Sequence, residues 1–374
     1  MTTSAPAATE TVPTTMRAAR LHDDGGRIVV RVDTDVAVPD CGRDEVLIKV
    51  RRCGLNQVDL LTRSGQTPQA VPLPHISGTE VAGDVVAVGT EVDPGLLGAR
   101  VVVDPVVACG RCRPCFRGQT NMCRDSLIYG VQTQGGYAEY AVAPARQVLP
   151  IPTGLSYDVA TAIAVTGPTT WHMLHTRARL RAGETVLVIA AGSGIGTLAA
   201  QVARFSGARV VVTVGGEEKV RKARELLPAD LVVDHHDPTW PRQVRAFNGG
   251  HGADLVFEHV GASTWQGSLA AMARGGRLVT SGGHSGFEVD INLWHLFIKE
   301  HTVIGSYAGS RDDFCTILDL VERGIVRPIV QQVFALEEIA HAQRLLEKRR
   351  VFGKLLLDPS ATPAAPAGGV GSQG

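Results

Sequence analysis

The sequence predicts an α/β protein in which a mostly β first third is followed by a doubly wound parallel sheet. In the first third, short β-branched runs at 46–50 and 83–88 are bounded by Gly, Pro and Asp. From about residue 183, apolar strands alternate with helical stretches at the spacing of strand–helix–strand units. A length of 374 residues suits two domains with ordinary hydrophobic cores.

Composition and charge exclude several classes of function. The 37 Lys and Arg balance 37 Asp and Glu, so we expect no basic surface for nucleic acid or anionic lipid. No apolar run approaches the roughly 20 residues of a membrane span, and the first residues lack the basic and apolar regions of a signal peptide. Residues 1–15 and 359–374 are rich in Ala, Pro, Thr and Gly, which predicts disordered tails.

The parallel sheet is predicted from a series of short apolar strands. They lie at 185–190, 209–214, 231–234, 253–258, 277–280 and 302–305. An apolar run without alternation is typical of a strand that is buried on both faces of a parallel sheet. A helix is expected at 197–205, and after about residue 309 a helix and a last strand at 353–357 are expected to return to the N-terminal domain.

The first strand of this sheet leads into a turn of small residues, Ala-Ala-Gly-Ser-Gly-Ile-Gly at 190–196. Small residues let the backbone approach a pyrophosphate, which binds the N–H groups of the following helix. The strict G-x-G-x-x-G pattern is absent, because its three positions fall on Ala191, Ser193 and Gly196. The position between a strand and a helix nevertheless predicts a dinucleotide site. The expected contacts are Ser193, Gly194, Ile195 and Gly196.

The end of the second strand predicts NADPH in preference to NADH. NAD sites usually carry an acid there for the ribose 2′-hydroxyl, whereas this chain has Val214 followed by Gly215 and Gly216. The missing acid removes repulsion against a 2′-phosphate, and Lys219 begins a group of cations on the next helix. The alternative is that these cations form a solvated helix face that contacts no cofactor.

Four of the seven cysteines, Cys109, Cys112, Cys115 and Cys123, lie in one loop. An odd number of cysteines without a secretion signal indicates a reducing cytoplasm and a metal site in preference to disulfides. Four thiolates at this spacing can close a tetrahedral zinc cage, and the zinc is expected to be structural because no coordination position stays open. An iron–sulfur cluster is the competing interpretation.

Several motifs together resemble the medium-chain dehydrogenase/reductase superfamily across about residues 17–357. They are Cys-Gly-Leu-Asn-Gln-Val-Asp at 53–59, Pro-His-Ile-Ser-Gly-Thr-Glu at 74–80, the four-cysteine loop, Gly-Gly-Tyr-Ala-Glu at 135–139, the nucleotide turn and Phe-Gly-Lys at 352–354. The sequence looks most similar to zinc-alcohol-dehydrogenase-like proteins and NADPH:quinone oxidoreductases. The resemblance implies a GroES-like β domain at 16–165 and 310–358, a Rossmann domain at 166–309, and an active site in the cleft between them.

The sequence departs from the superfamily where alcohol dehydrogenases hold a catalytic zinc. The ligand positions, which carry Cys, His and a second Cys or an acid in those enzymes, align with Asn56, Thr79 and Val165. An amide, a hydroxyl and an alkyl group do not make a zinc site. The resemblance therefore implies hydride transfer from NADPH, without catalytic zinc, to a quinone or an α,β-unsaturated carbonyl.

Two residues are the candidates for catalysis. Asn56 is the expected donor for the enolate oxygen that hydride transfer to such an acceptor creates. A contact to the nicotinamide or its ribose, or a purely structural role, is the alternative for this side chain. Asp59 is expected to organise hydrogen bonds beside it.

The strand ends and the interdomain helix supply the other expected cofactor contacts. These are Thr169, Gly215, Lys219, His259, Val260, Gly261, Ser281, Gly282 and Gly283. Packing is the alternative role for His259. Few aromatic residues and no charged cluster in the predicted cleft favour a small, apolar conjugated carbonyl as substrate, and we expect a homodimer. An alcohol dehydrogenase with an atypical site and a nucleotide-binding protein without turnover are the alternative functions.

Overall fold

The computed structural model describes residues 11–67 and 70–363. The strands are β1 (Thr15–Asp24), β2 (Arg27–Ala37), β3 (Glu45–Gly54), β4 (His75–Ile76), β5 (Glu80–Val88), β6 (Arg100–Val103), β7 (Val106–Val107), β8 (Leu127–Ile128), β9 (Tyr140–Pro144), β10 (Val148–Pro150), β11 (Thr185–Val188), β12 (Arg209–Val214), β13 (Leu231–Asp234), β14 (Ala253–Glu258), β15 (Met272–Thr280), β16 (Thr302–Gly305), β17 (Val330–Ala335) and β18 (Lys354–Asp358). The helices are α1 (Gln57–Arg63), α2 (Arg113–Phe116), α3 (Tyr157–Ile163), α4 (Thr166–Trp171), α5 (Gly194–Phe205), α6 (Glu217–Leu226), α7 (Trp240–Phe247), α8 (Ala262–Ala271), α9 (Leu293–Ile298), α10 (Arg311–Glu322) and α11 (Ile339–Glu347). Within the described residues, no helix is long and apolar enough to cross a membrane.

The N-terminal part of the chain forms a sheet that is completed by the last strand. Its order is β10-β6-β5-β3-β18-β17, and β9 also pairs with β3. The strand β18 lies antiparallel to β3, with Leu357 opposite Cys53. A second sheet, in the order β2-β1-β4, contributes Ala18 and Leu21 to the buried interior of this part.

The middle of the chain forms a parallel six-stranded sheet in the order β13-β12-β11-β14-β15-β16. The strands β11 and β14 are neighbours, and the chain winds outward from them in opposite directions. Ligands of such sheets bind beyond the carboxyl ends of the strands at this reversal. The fold therefore places the candidate cofactor crevice beyond β11 and β14.

Both faces of the parallel sheet are covered, which explains its unbroken apolar strands. Val186 and Val188 of β11 pack into a core with α4, α5 and α10. Leu187, on the other face, packs into a second core that contains Trp240 and Trp265. A strand that is buried on both faces has few solvent-facing positions, so its sequence is mainly apolar.

The ordered chain extends further at both ends than the predicted tails allow. Thr15 already begins β1, and the carbonyl of Thr14 accepts a hydrogen bond from the Val38 N–H at 3.1 Å. At the other end, the carbonyl of Pro359 accepts a hydrogen bond from Arg17. The predicted tails 1–15 and 359–374 are therefore too long at their inner ends, and the parts of them at 1–10 and 364–374 lie outside the described residues.

Candidate active site and zinc centre

The nucleotide turn is organised by the hydroxyl of Ser193, the residue before α5. Its Oγ accepts a hydrogen bond from Gly196 N at 3.0 Å and donates to the Ala190 carbonyl at 2.9 Å. The N–H groups of Gly194 and Ile195 fall in the first turn of α5, where no intrahelical acceptor exists. Together with the positive end of the helix dipole, these N–H groups can bind an anionic pyrophosphate.

Two glycines of this turn lie close to neighbouring atoms. A Cβ on Gly196 would lie 2.6 Å from the Ala191 Cα, so only glycine lets α5 pack against the turn. A Cβ on Gly194 would lie 2.5 Å from the Lys354 Cδ of β18. The turn is therefore packed against the strand that completes the other sheet.

His259 closes the crevice beyond β14. Its Nε2–H donates to the Ile189 carbonyl at 2.9 Å and lies 3.3 Å from Ser193 Oγ. Burial lowers the pKa of His259 to about 4, so the ring is neutral near pH 7 and Nδ1 carries a lone pair. That Nδ1 is buried and has no partner among the described residues. It can accept a hydrogen bond from a cofactor hydroxyl, which fits a dinucleotide in this crevice.

The other predicted contacts line the same edge of the sheet. Glu258 is fully buried and accepts hydrogen bonds from the N–H groups of Val260 and Gly261, which fixes the turn after β14. Beyond β15, Ser281, Gly282 and Gly283 run beside it, and a Cβ on Gly282 would lie 2.6 Å from the His259 carbonyl. Thr169 is also buried, but its hydroxyl donates to the Val165 carbonyl of its own helix at 2.7 Å.

Positively charged and histidine side chains surround the end of β12. A Cβ on Gly215 would lie 2.8 Å from His235 Nε2 and 2.9 Å from His236 Nε2. Lys219 Nζ donates to the carbonyl of Arg349 at 2.7 Å, which brings a loop before β18 to this position. Burial, with help from nearby positive charges including Lys219 and Arg349, lowers the pKa of His235 to about 4. Of these residues, sequence analysis identified Gly215 and Lys219 and missed the histidines and Arg349.

The side chain of Asn56, at the start of α1, lies between a hydroxyl and an ammonium group. Its Nδ2 donates to Thr79 Oγ1 at 3.1 Å, and its Oδ1 accepts from Lys354 Nζ at 2.8 Å. Lys354 Nζ also donates to the Leu55 carbonyl at 2.9 Å and lies 2.6 Å from Glu80 Oε2. Lys354 is 4% exposed and Glu80 is fully buried, so this is an ion pair inside the protein.

Glu80 also contacts Val165, the third of the positions that align with the zinc ligands of alcohol dehydrogenases. Its Oε1 accepts a hydrogen bond from the Val165 N–H at 3.1 Å. Asn56, Thr79 and Val165 are therefore together in space, around the Glu80–Lys354 pair. The expectation that the cleft holds no charged cluster is wrong. The role of Lys354 was missed, although the Phe-Gly-Lys motif at 352–354 was a signal that could have revealed it.

Asp59 holds the start of α1 against the neighbouring loop. Its Oδ2 accepts hydrogen bonds from the Asn56 N–H and the Tyr137 hydroxyl, each at 2.7 Å. The carboxyl is 1% exposed, and burial raises its pKa to about 6 despite these two donors. Asp59 thus supports the backbone of Asn56, and Tyr137 is a partner that the sequence did not indicate.

The four clustered cysteines form a group that can hold a metal ion. Their Sγ atoms all lie within 4.8 Å of one another, and those of Cys112 and Cys115 are 3.4 Å apart. A zinc ion at about 2.3 Å from four sulfurs places them about 3.8 Å from each other, so the cage fits zinc. A backbone N–H of Arg111 lowers the pKa of Cys109 to about 7, which favours the thiolate that binds metal. In the described part of the chain, no other group of three His, Cys, Asp or Glu side chains is close enough to share a metal.

Comparison with known proteins identifies the family. Residues 42–153 match the alcohol dehydrogenase GroES-like domain, and residues 194–323 match the zinc-binding dehydrogenase domain. The NAD-dependent alcohol dehydrogenase of Sulfolobus acidocaldarius is 31% identical over 91% of this chain and 99% of its own length. The chain belongs to the medium-chain dehydrogenase/reductase superfamily.

Two further relatives place the chain within this superfamily. The quinone oxidoreductase of Pseudomonas aeruginosa is 33% identical over 85% of this chain and 92% of its own length. A solved structure of an NAD-dependent alcohol dehydrogenase is 41% identical, with a TM-score of 0.87, and covers 92% of this chain and 99% of its own. This member of the superfamily is thus an NAD(P)-dependent oxidoreductase with a GroES-like part and a Rossmann-like part, and its four-cysteine cluster fits a structural zinc.

Proposed function

We propose that this chain is an NADPH-dependent reductase that transfers hydride to an enone or a quinone without a catalytic zinc. The observation that supports this proposal is the arrangement of the residues that align with the catalytic zinc ligands of alcohol dehydrogenases. Asn56 contacts both Thr79 and the Lys354 ammonium, and Val165 contacts Glu80, the ion-pair partner of that ammonium, so the cation at these positions is fixed by the chain itself. The amide is then the group with a donor to offer a substrate oxygen.

The cofactor supplies the hydride, and the chain supplies orientation and one hydrogen bond. One N–H of the Asn56 amide is occupied by Thr79, which leaves the second for the carbonyl oxygen of the acceptor. Hydride addition to the β-carbon of an enone places negative charge on that oxygen. A preorganised donor stabilises the charge as it develops.

The preference for NADPH rests on the end of β12. Val214 is 1% exposed and has no polar atom for a ribose diol. The charges of Lys219 and Arg349 and the imidazole of His236 are close enough to lower the pKa of His235, which lies at the same place. NADH is the competing cofactor, and alcohol oxidation the competing reaction, because two of the similar proteins are NAD-dependent alcohol dehydrogenases.

The protein is also proposed to be a homodimer. Phe287, Leu293, Trp294 and Phe297 are between 61% and 70% exposed, and they lie on or just before α9. The strand β16 follows α9 and ends the parallel sheet. A sheet edge beside an apolar surface can pair with the same edge of a second copy across a two-fold axis.

The function is tested with purified protein, NADPH oxidation and a panel of enones, quinones and aldehydes. We expect turnover with enones or quinones that survives a chelator added under conditions that leave the fold intact. Primary alcohols with NADP should give no measurable oxidation. Asn56→Ala should lower kcat about 10–1,000-fold, the scale of losing an oxyanion donor. Alcohol oxidation that a chelator abolishes would contradict the proposal.

A further inference from the structure

We propose that Lys354 is a positioning residue that fixes the orientation of the Asn56 amide, so that this residue presents an N–H to the substrate and not its carbonyl. The inference rests on the proposed function, in which Asn56 is the donor. An Asn side chain that rotated by half a turn would present an acceptor to a developing oxyanion, and the interaction would become repulsive.

Lys354 can select the orientation because an ammonium group only donates hydrogen bonds. With Nζ at 2.8 Å, the Asn56 atom that faces it must be the oxygen. Thr79 Oγ1, on the other side at 3.1 Å, could accept from Nδ2 or donate to Oδ1, so its hydroxyl does not discriminate between the two orientations. Lys354 therefore determines which orientation the Asn56 amide adopts.

The ammonium is itself held in place by two contacts besides that to Asn56. Glu80 Oε2 lies 2.6 Å from Nζ, and the Leu55 carbonyl accepts a hydrogen bond at 2.9 Å. Gly54 makes this possible, since a Cβ there would lie 2.0 Å from Glu80 Oε2. The preceding Gly353 donates its N–H to the Gly192 carbonyl at 2.8 Å, which ties the lysine to the nucleotide turn. The selecting charge is thus rigid relative to the cofactor crevice.

A cation at Oδ1 has a second effect on the amide. It draws electron density towards the oxygen and makes the remaining N–H a stronger donor, because hydrogen bonds in a chain polarise one another in a low dielectric. A neutral partner at Oδ1 would orient the amide more weakly and polarise it less.

The test must distinguish the effect of Lys354 on the orientation of the Asn56 amide from its effect on stability as the partner of the buried Glu80 carboxylate. Lys354→Met alone leaves Glu80 buried and unpaired, which would destabilise the fold. The double variant Glu80→Gln/Lys354→Met removes both charges and keeps the stem that packs near Gly194. It is made in the wild-type chain and in the Asn56→Ala variant, which gives a double-mutant cycle.

In the wild-type background we expect the charge-pair variant to lower kcat by about tenfold or more, towards the level of Asn56→Ala. In the Asn56→Ala background it should change kcat by less than about threefold, because no amide is left to orient. The dissociation constant of NADPH, measured by fluorescence titration, should change by less than about threefold in both backgrounds.

The outcomes distinguish this inference from the proposed function. If the charge-pair variant lowers kcat equally in both backgrounds, Lys354 has only a structural role and the inference is wrong. If Asn56→Ala is slow while the charge-pair variant matches wild type, the donor proposal stands and the positioning role fails. If Asn56→Ala has wild-type kcat, both are overturned. Asn56→Asp serves as a control, because it keeps an acceptor for Lys354 and removes the N–H, so its kcat should fall as that of Asn56→Ala does.

Discussion

Val214 is the residue at which cofactor choice can be tested most directly. Val214→Asp places a carboxylate where it would repel a 2′-phosphate and bind a ribose diol, so the ratio of the NADPH to the NADH dissociation constant should rise at least about tenfold, or about 1.4 kcal/mol. Fluorescence titration of both cofactors measures this ratio. Val214→Asn, polar but uncharged, is the matched control and should shift it less. Equal affinities of the native protein for the two cofactors would contradict the NADPH preference.

Asp59 is expected to make stability depend on pH. Burial favours the protonated carboxyl, so the rise in pKa from 3.8 to about 6 makes this residue most favourable for folding below pH 3.8. As pH rises through about 6 the folded state loses about 3 kcal/mol of this contribution. Asp59→Asn should therefore gain stability relative to wild type by about that amount between pH 4 and pH 7.5, measured by urea unfolding.

The partner of Asp59 provides a check on this prediction. The Tyr137 hydroxyl donates to Asp59 Oδ2 and lowers the carboxyl pKa, although burial outweighs it. Tyr137→Phe removes this donor, so the pH range over which stability is lost should move upward. A stability difference between Asp59→Asn and wild type that is the same at pH 4 and pH 7.5 would show that burial does not perturb this carboxyl.

At the scale of single residues, the sequence predicted the site residues that belong to one continuous segment of the chain. The turn of small residues before a helix indicated Ser193 and its neighbours, because the pyrophosphate-binding backbone is one continuous segment. Lys354 and Asn56 are 298 positions apart in the chain, and their contact depends on how two strands pair. No spacing rule predicts such a contact, so the charge beside the amide was not foreseen.

The four-cysteine lobe is the element for which metal content gives a direct test. Elemental analysis should find about one zinc per chain, and Cys112→Ser should cost about 2 kcal/mol or more, a fall in Tm of about 5 °C, because structural zinc stabilises the fold that holds it. Cys315→Ser, at an exposed position of α10, is the control and should leave Tm unchanged. Two zinc ions per chain would contradict the absence of a catalytic metal, and iron with visible absorbance would contradict zinc.

At the scale of elements, strand bounds were predicted well where the sequence of the strand is mainly apolar and poorly where polar residues or glycines interrupt it. The bounds of β12, β13, β14 and β16 were predicted correctly, since the interior of each run is mainly apolar. The strand β15 begins at Met272, five residues before the predicted start at 277. The prediction began too late because Arg274, Gly275 and Gly276 interrupt the apolar run of the sequence. Pairing with β14 across a register shift, which is a tertiary effect, makes this segment a strand.

The assembly of the whole molecule can be tested at α9. If the apolar surface beside β16 joins two copies, Trp294→Glu combined with Phe297→Glu should halve the mass measured by light scattering, because two buried charges would face their own copies across the two-fold axis. Phe205→Glu, at an exposed aromatic residue of α5, is the control and should leave the mass unchanged. A monomeric wild-type protein would contradict the homodimer.

The pairing of β18 with β3 has a consequence for biosynthesis. Leu357 lies opposite Cys53, so the ribosome must deliver nearly the whole molecule before the first sheet can close. The parallel six-stranded sheet lies between these two strands in the chain and can form earlier, since all its strands come from residues 185–305. Contacts between such distant segments slow folding. The nascent GroES-like half should therefore be the last part to become protease-resistant, and it is the half that a chaperone would have to shield longest.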